Sequence, residues 1–169
     1  MVDLIAETAV TGLPVTHGRA TLAAFDPGLV TAIAPYPGRV VPGFPAPGQV
    51  LAAGGGRMVW AGRDTAFLLG APAPDLGDLA AVTDQSDGWV WVTLTGADAV
   101  AVLARLTALD LRPAAFAPGT SARATINHLP ALLIRTADGF EIAAFRSMAH
   151  SLKHEIEAAM TAVAARRAL

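Results

Sequence analysis

The sequence predicts an α+β fold made of two related halves of β-α-β-β-α type. Three observations lead to it: short apolar runs recur between turn residues, two stretches carry helical spacing, and one hairpin pattern occurs twice. Val59-Trp60-Ala61-Gly62-Arg63-Asp64-Thr65-Ala66-Phe67-Leu68-Leu69 and Leu133-Ile134-Arg135-Thr136-Ala137-Asp138-Gly139-Phe140-Glu141-Ile142 share an order. Each reads as an apolar strand, a turn with Asp, and a Phe leading a second apolar strand. The expected organisation is an amino-terminal arm, 1–19, and a single domain, 20–169, whose halves fall at about 20–82 and 83–169.

The arm has little periodicity, and its Thr11-Gly12-Leu13-Pro14 reads as loop. Residues 20–25 and 29–34 flank Asp26-Pro27-Gly28, where Pro presets φ and Gly accepts a positive one, so a hairpin is predicted. Residues 35–48 hold Pro35, Pro37, Pro42, Pro45 and Pro47 and cannot supply a ladder of backbone donors. That segment is irregular, yet Val40, Val41 and Phe44 make it one that packs across a surface. Gly54-Gly55-Gly56 releases the chain into a second hairpin, 57–62 with 65–70, turning at Arg63-Asp64. A short helix is predicted around 75–82, after Pro72 and Pro74.

Residues 89–95 alternate like a strand, Gly96 breaks it, and 97–106 places Val100, Leu103 and Leu106 at helical spacing. Residues 129–136 and 140–146 form a third hairpin around Ala137-Asp138-Gly139. Ser147 takes the N-cap position of the longest helix, which runs to about Arg166 with a cationic end that suits the helix dipole. Met148, Leu152, Ile156, Met160 and Val163 mark its core side.

Composition narrows the function classes. The 169 residues carry 12 Lys+Arg against 14 Asp+Glu, a net charge of -2, and the only basic run is Arg166-Arg167. Phosphate neutralisation needs clustered cations, so nucleic acid is excluded as a partner. No stretch approaches the roughly 18 apolar residues of a membrane span. Zero cysteines remove disulfides, Cys-ligated zinc, iron–sulfur clusters and a thiol nucleophile. Residues 1–10 carry Asp3 and Glu7 and lack a cationic segment ahead of an apolar core, so they do not read as a signal peptide and the expected location is cytoplasmic. Charged residues are 15% where about 25% is usual, and apolar residues 53%. Such a surface suits a permanent subunit, one that self-associates when isolated.

Standard catalytic signatures are absent: there is no P-loop, no dinucleotide fingerprint and no Gly-x-Ser-x-Gly elbow. Gly54-Gly55-Gly56 precedes a strand, so phosphate would lack a helix N-terminus to rest on. No catalytic or cofactor-binding residue is assigned. His150, His154 and Glu157 project from one helical face at a spacing that three metal ligands can use; the alternative, preferred here, is a polar face with a His154/Glu157 pair and no metal. A cation beside a helix N-terminus is unfavourable unless an anion sits nearby, so Arg146 and Ser147 are candidates for an anion or partner site, with an internal Asp or Glu as the alternative. Asp84, Gln85 and Ser86, in Asp84-Gln85-Ser86-Asp87-Gly88, are candidates for partner recognition or simply for bonding a turn. Trp89 and Trp91 share one strand face and read as core or as cover for an interface.

Asp84-Gln85-Ser86-Asp87-Gly88-Trp89, with Leu94-Thr95-Gly96-Ala97-Asp98-Ala99-Val100-Ala101-Val102-Leu103 and Phe145-Arg146-Ser147-Met148-Ala149, resembles the gamma subunit of heterotetrameric sarcosine oxidase. Weaker similarity around Val59-Trp60-Ala61-Gly62-Arg63-Asp64 extends the resemblance from about Ala20 onward. It implies a fold like the folate-binding domain of glycine-cleavage aminomethyltransferase. It also implies an accessory role beside the alpha (large), beta and delta subunits of an enzyme that oxidatively demethylates sarcosine to glycine and passes the one-carbon unit to tetrahydrofolate. FAD, FMN, NAD and tetrahydrofolate are implied for the partner subunits and none for this chain. Three alternatives stand beside it: a subunit of a related complex acting on dimethylglycine or another N-methyl amine, a free-standing folate-binding or aminomethyl-transfer protein, and a metal-dependent enzyme using the two histidines and Glu157.

Overall fold

Strands in this chain are three to seven residues long, and the alternation of their side chains decides which layers each one separates. The computed structural model describes residues 7–168. In chain order the elements are β1 (Val15–His17), β2 (Ala20–Ala24), β3 (Val30–Pro35), β4 (Val50–Ala53), β5 (Gly56–Gly62), β6 (Thr65–Leu69) and β7 (Ala80–Asp84). There follow β8 (Trp89–Thr95), α1 (Ala99–Leu103), β9 (Ser121–Ile126), β10 (Leu129–Arg135), β11 (Gly139–Phe145), a 3-10 turn at Arg146–Met148, and α2 (Ala149–Arg167).

All pairings are antiparallel. One sheet has the order β1-β2-β8-β11-β10-β9 and the other β4-β5-β6-β3-β7. The path β8-β11-β10-β9 in the first is the path β3-β6-β5-β4 in the second, so the hairpin pattern seen twice in the sequence belongs to a larger four-strand unit made twice. The two units interlock. β2 leads into β3 but pairs with β8, whereas β7 leads into β8 but pairs with β3. The sheets therefore do not divide at residue 82, and the chain crosses between them twice, at 25–29 and at 85–88.

Three apolar layers follow from the alternation. Val90, Val92 and Leu94 of β8 join Leu103, Phe140, Ile142, Leu152 and Ile156 beneath the helices. Trp89 and Trp91, on the opposite face, join Val59, Phe67, Leu132 and Ile134 between the sheets. Because β8 is buried on both faces, it reads as a nearly continuous apolar run. On the outer face of the second sheet, Ile33, Met58 and Leu68 are covered by Val41, Phe44, Leu76 and Leu79 from the irregular segments, as expected for Val41 and Phe44 of the proline-rich stretch, whereas Val40 points to solvent at 81% exposure. Each large side chain so buried contributes about 1.5–3 kcal/mol.

The structure corrects several expectations. Residues 20–25 and 29–34 do not pair as a hairpin; Asp26-Pro27-Gly28 turns the chain from one sheet to the other, the Gly28 N–H bonding the Asp26 carboxylate at 2.8 Å. Turn chemistry fixes a change of direction and not the strand that the chain then meets. No helix forms at 75–82: a turn at Gly77-Asp78 leads into β7, whose N–H and C=O groups find a ladder on β3. The first half thus holds no helix, and the β-α-β-β-α description fails there. α1 is shorter than the 97–106 predicted and ends in turns through Leu106. Ser147 lies inside the 3-10 turn and is not an N-cap; Met148 holds that position without a side-chain bond. The arm contributes the edge strand β1 and the buried Val10, while residues 1–6 lie outside the described residues.

Candidate functional site

The two crossings meet at one place. Phe25 N–H donates to Trp91 O at 3.1 Å, Gln85 N–H donates to Val30 O at 2.8 Å, and Val30 N–H donates to the Ser86 hydroxyl at 3.1 Å, so each crossing is tied to the strand that the other leaves or enters. Beside them is a cavity of about 390 Å³, bounded by Thr8–Val10 of the arm, by residues 24–28, by Ser86, by the start of β8 and by Arg146. Its apolar wall is aromatic: Phe25 and Trp91 meet edge to face at 6.3 Å between ring centroids.

The candidate residues separate by role. Asp84 accepts from both the backbone N–H (2.9 Å) and the hydroxyl (2.7 Å) of Ser86, and these bonds hold its carboxyl below the usual carboxylate range. Gln85 spends its backbone on Val30 and on Gly88, whose N–H it accepts at 2.9 Å. Asp84, Gln85 and Ser86 therefore build the second crossing, the turn use of such residues. Arg146 is different. It is exposed, and its Nη2 donates to the backbone carbonyl of Glu7; among the described residues it forms no ion pair. Ser147 is exposed beside it.

On α2, His150 and His154 are exposed, and Glu157 lies 3.8 Å from Lys153. Among the described residues no three His, Asp or Glu side chains converge as a metal site would need. The apolar stripe faces the core as read, with Leu152, Ile156 and Met160 buried.

Charged residues that sequence reading passed over carry the internal electrostatics. The Asp98 side chain is 1% exposed and sits between Arg19 (2.9 Å) and Arg167 (2.8 Å), which hold its carboxyl below the usual range. Glu141 faces the layer between the sheets and pairs with Arg57 at 2.5 Å. Arg123 of β9 lies with its guanidinium 5.4 Å from the Trp89 ring centroid, and burial pushes its pKa down. The partners of these groups lie 79 and 84 residues away in two cases, so no local spacing announces them. Asp98 and Glu141, the carboxylates buried among the described residues, are both committed to arginines.

No helix among the described residues is long and apolar enough to cross a membrane. No protein-family model matches the chain, and no curated protein matches it. Among solved structures it is similar to a chain of the heterotetrameric sarcosine oxidase from Corynebacterium sp. U-96 in complex with pyrrole 2-carboxylate. The identity is 22% and the TM-score 0.73, over 89% of this chain and 89% of that one. The protein thus has the fold of a chain found in a heterotetrameric sarcosine oxidase.

Proposed function

We propose that this chain is the gamma subunit of a heterotetrameric sarcosine oxidase, an accessory chain that packs against the large alpha subunit and carries no catalytic residue itself. The observation that supports it most is the two-way coverage: 89% of each chain is matched, so the counterpart is a whole chain of this size and not one domain of a large enzyme. The charge-poor composition and the commitment of both buried carboxylates to arginines point the same way. In this reading FAD, FMN, NAD and tetrahydrofolate belong to the partner subunits, with beta and delta completing the complex, and the protein works in the cytoplasm. The one-carbon unit released from sarcosine passes to tetrahydrofolate on another chain.

The test is a pull-down of the tagged chain from its native host, with the eluate scanned for flavin absorbance and for sarcosine-dependent peroxide. Yellow co-eluting subunits with that activity support the proposal, and dimethylglycine in place of sarcosine distinguishes a related complex. A lone colourless chain overturns it; titration with tetrahydrofolate then tests a free-standing folate-binding protein.

A further inference from the structure

Phe145 ends β11 with 42% of its surface exposed, although it pairs in register with the buried Trp89. The two rings lie 4.7 Å apart at a tilt of 38°. The Arg123 guanidinium lies 5.4 Å from the centroid of the same Trp89 ring, and Arg146 follows Phe145 directly. Neither arginine forms an ion pair among the described residues, Asp87 and Glu7 included, although both lie close along the chain to the groups that Arg146 bonds. A half-buried guanidinium over an aromatic face is only partly compensated, because the ring quadrupole replaces a fraction of what a carboxylate supplies. An exposed aromatic ring stacked on Trp89, next in the chain to an exposed arginine and sharing Trp89 with a half-buried one, has the make-up of an interface anchor, where Trp, Tyr and Arg dominate binding.

We infer that Phe145, Arg123 and Arg146, backed by the buried Trp89, form the docking surface for an acidic segment of a partner chain, with carboxylates on the two arginines and an apolar side chain over Phe145. This deepens the subunit reading and rests on it for the identity of the partner. Charge complementarity selects the occupant: a second copy of this chain would bring the same two arginines face to face, whereas an Asp- or Glu-bearing segment neutralises both.

The experiment replaces Phe145 with the photo-cross-linker p-benzoylphenylalanine in the tagged full chain, expressed in the native host. Val40, 81% exposed in the proline-rich segment on the far layer, carries the same cross-linker as control. The expected result is a cross-link from position 145, and not from 40, to an Asp- or Glu-containing peptide of a co-purifying flavin-bearing chain. Arg123→Gln with Arg146→Gln should lower its yield at least about fivefold. Co-purification of the flavin-bearing chain without a cross-link from position 145, a cross-link to a second copy, or one to a peptide lacking acidic residues overturns the docking surface while the subunit reading stands. A cross-link to an acidic peptide of a flavin-free protein overturns the subunit reading and leaves the surface standing. No cross-linked partner together with no co-purifying flavin-bearing chain overturns both.

Discussion

Arg19 and Asp98 meet where β2 begins and α1 begins, guanidinium to carboxylate at 2.9 Å, while Arg167 from the end of α2 approaches the same carboxylate at 2.8 Å. One buried acid thus joins the start of β2 to both helices.

That triad sets a pH dependence. Arg19 first and Arg167 next favour the ionised form of Asp98 in the folded chain, which puts its pKa below the unfolded value of 3.8. The stabilisation is therefore present above about pH 4 and is lost as pH falls through the lower folded value. Asp98→Asn should lower Tm at about pH 6, and the gap to the natural chain should narrow by about pH 3. Scanning calorimetry of both proteins across that range reads it; a gap that widens on acidification contradicts the triad.

Glu141 and Arg57 form the polar pair between the two sheets. Glu141→Ala should cost about 3 kcal/mol in urea unfolding, since it strands a guanidinium that is mostly buried. Arg57→Met combined with Glu141→Leu should come back to within about 1 kcal/mol of the natural chain. A double variant as weak as the single one would show that the pair is needed as such.

Gly96 has φ +100°, and a Cβ there would stand 2.2 Å from the Arg19 carbonyl. Gly96→Ala should therefore cost about 2 kcal/mol or more, because both strain and the clash act on backbone that cannot move aside. An unchanged denaturation midpoint would contradict the close approach of β2 to the end of β8.

Phe140 is fully buried, stacks on Phe116 at 6.4 Å and receives the Arg135 guanidinium at 4.4 Å. The ring matters to that arginine, whose Nε and Nη1 are buried without another partner. Phe140→Ala should cost about 4 kcal/mol. Phe140→Leu refills much of the volume but not the π face and should still cost about 1–2 kcal/mol, which equilibrium unfolding resolves.

Arg146→Glu should leave the circular dichroism spectrum and Tm of the isolated chain nearly unchanged, because the only bond it gives up among the described residues is to a backbone carbonyl. In the native host it should reduce recovery of co-purifying subunits at least about tenfold. An unfolded variant would instead place Arg146 in the internal framework.

The sequence by itself determined the local pieces whose cause is local. The apolar, β-branched and aromatic run of residues 89–95 made β8, the turn residues Arg63-Asp64 and Ala137-Asp138-Gly139 made the hairpins β5–β6 and β10–β11, the prolines after Pro35, which itself ends β3, kept 36–48 irregular, and the stripe from Met148 to Val163 oriented α2. Of the candidate site, Arg146 was legible because a cation next to a predicted helix start is locally unfavourable. What only the tertiary structure decided is pairing at a distance. Asp26-Pro27-Gly28 looks like a hairpin turn whether β3 returns to β2 or goes on to β6, and Ala80–Asp84 became a strand because β3 offered it an edge. Asp84 and Ser86 suited a turn, with a partner as the rarer use, and the turn became definite when the Val30 N–H came to donate to the Ser86 hydroxyl. The same holds for Asp98, Glu141 and Arg123: burial and partner set the value of a charge, and both are assigned by strands and helices remote in sequence.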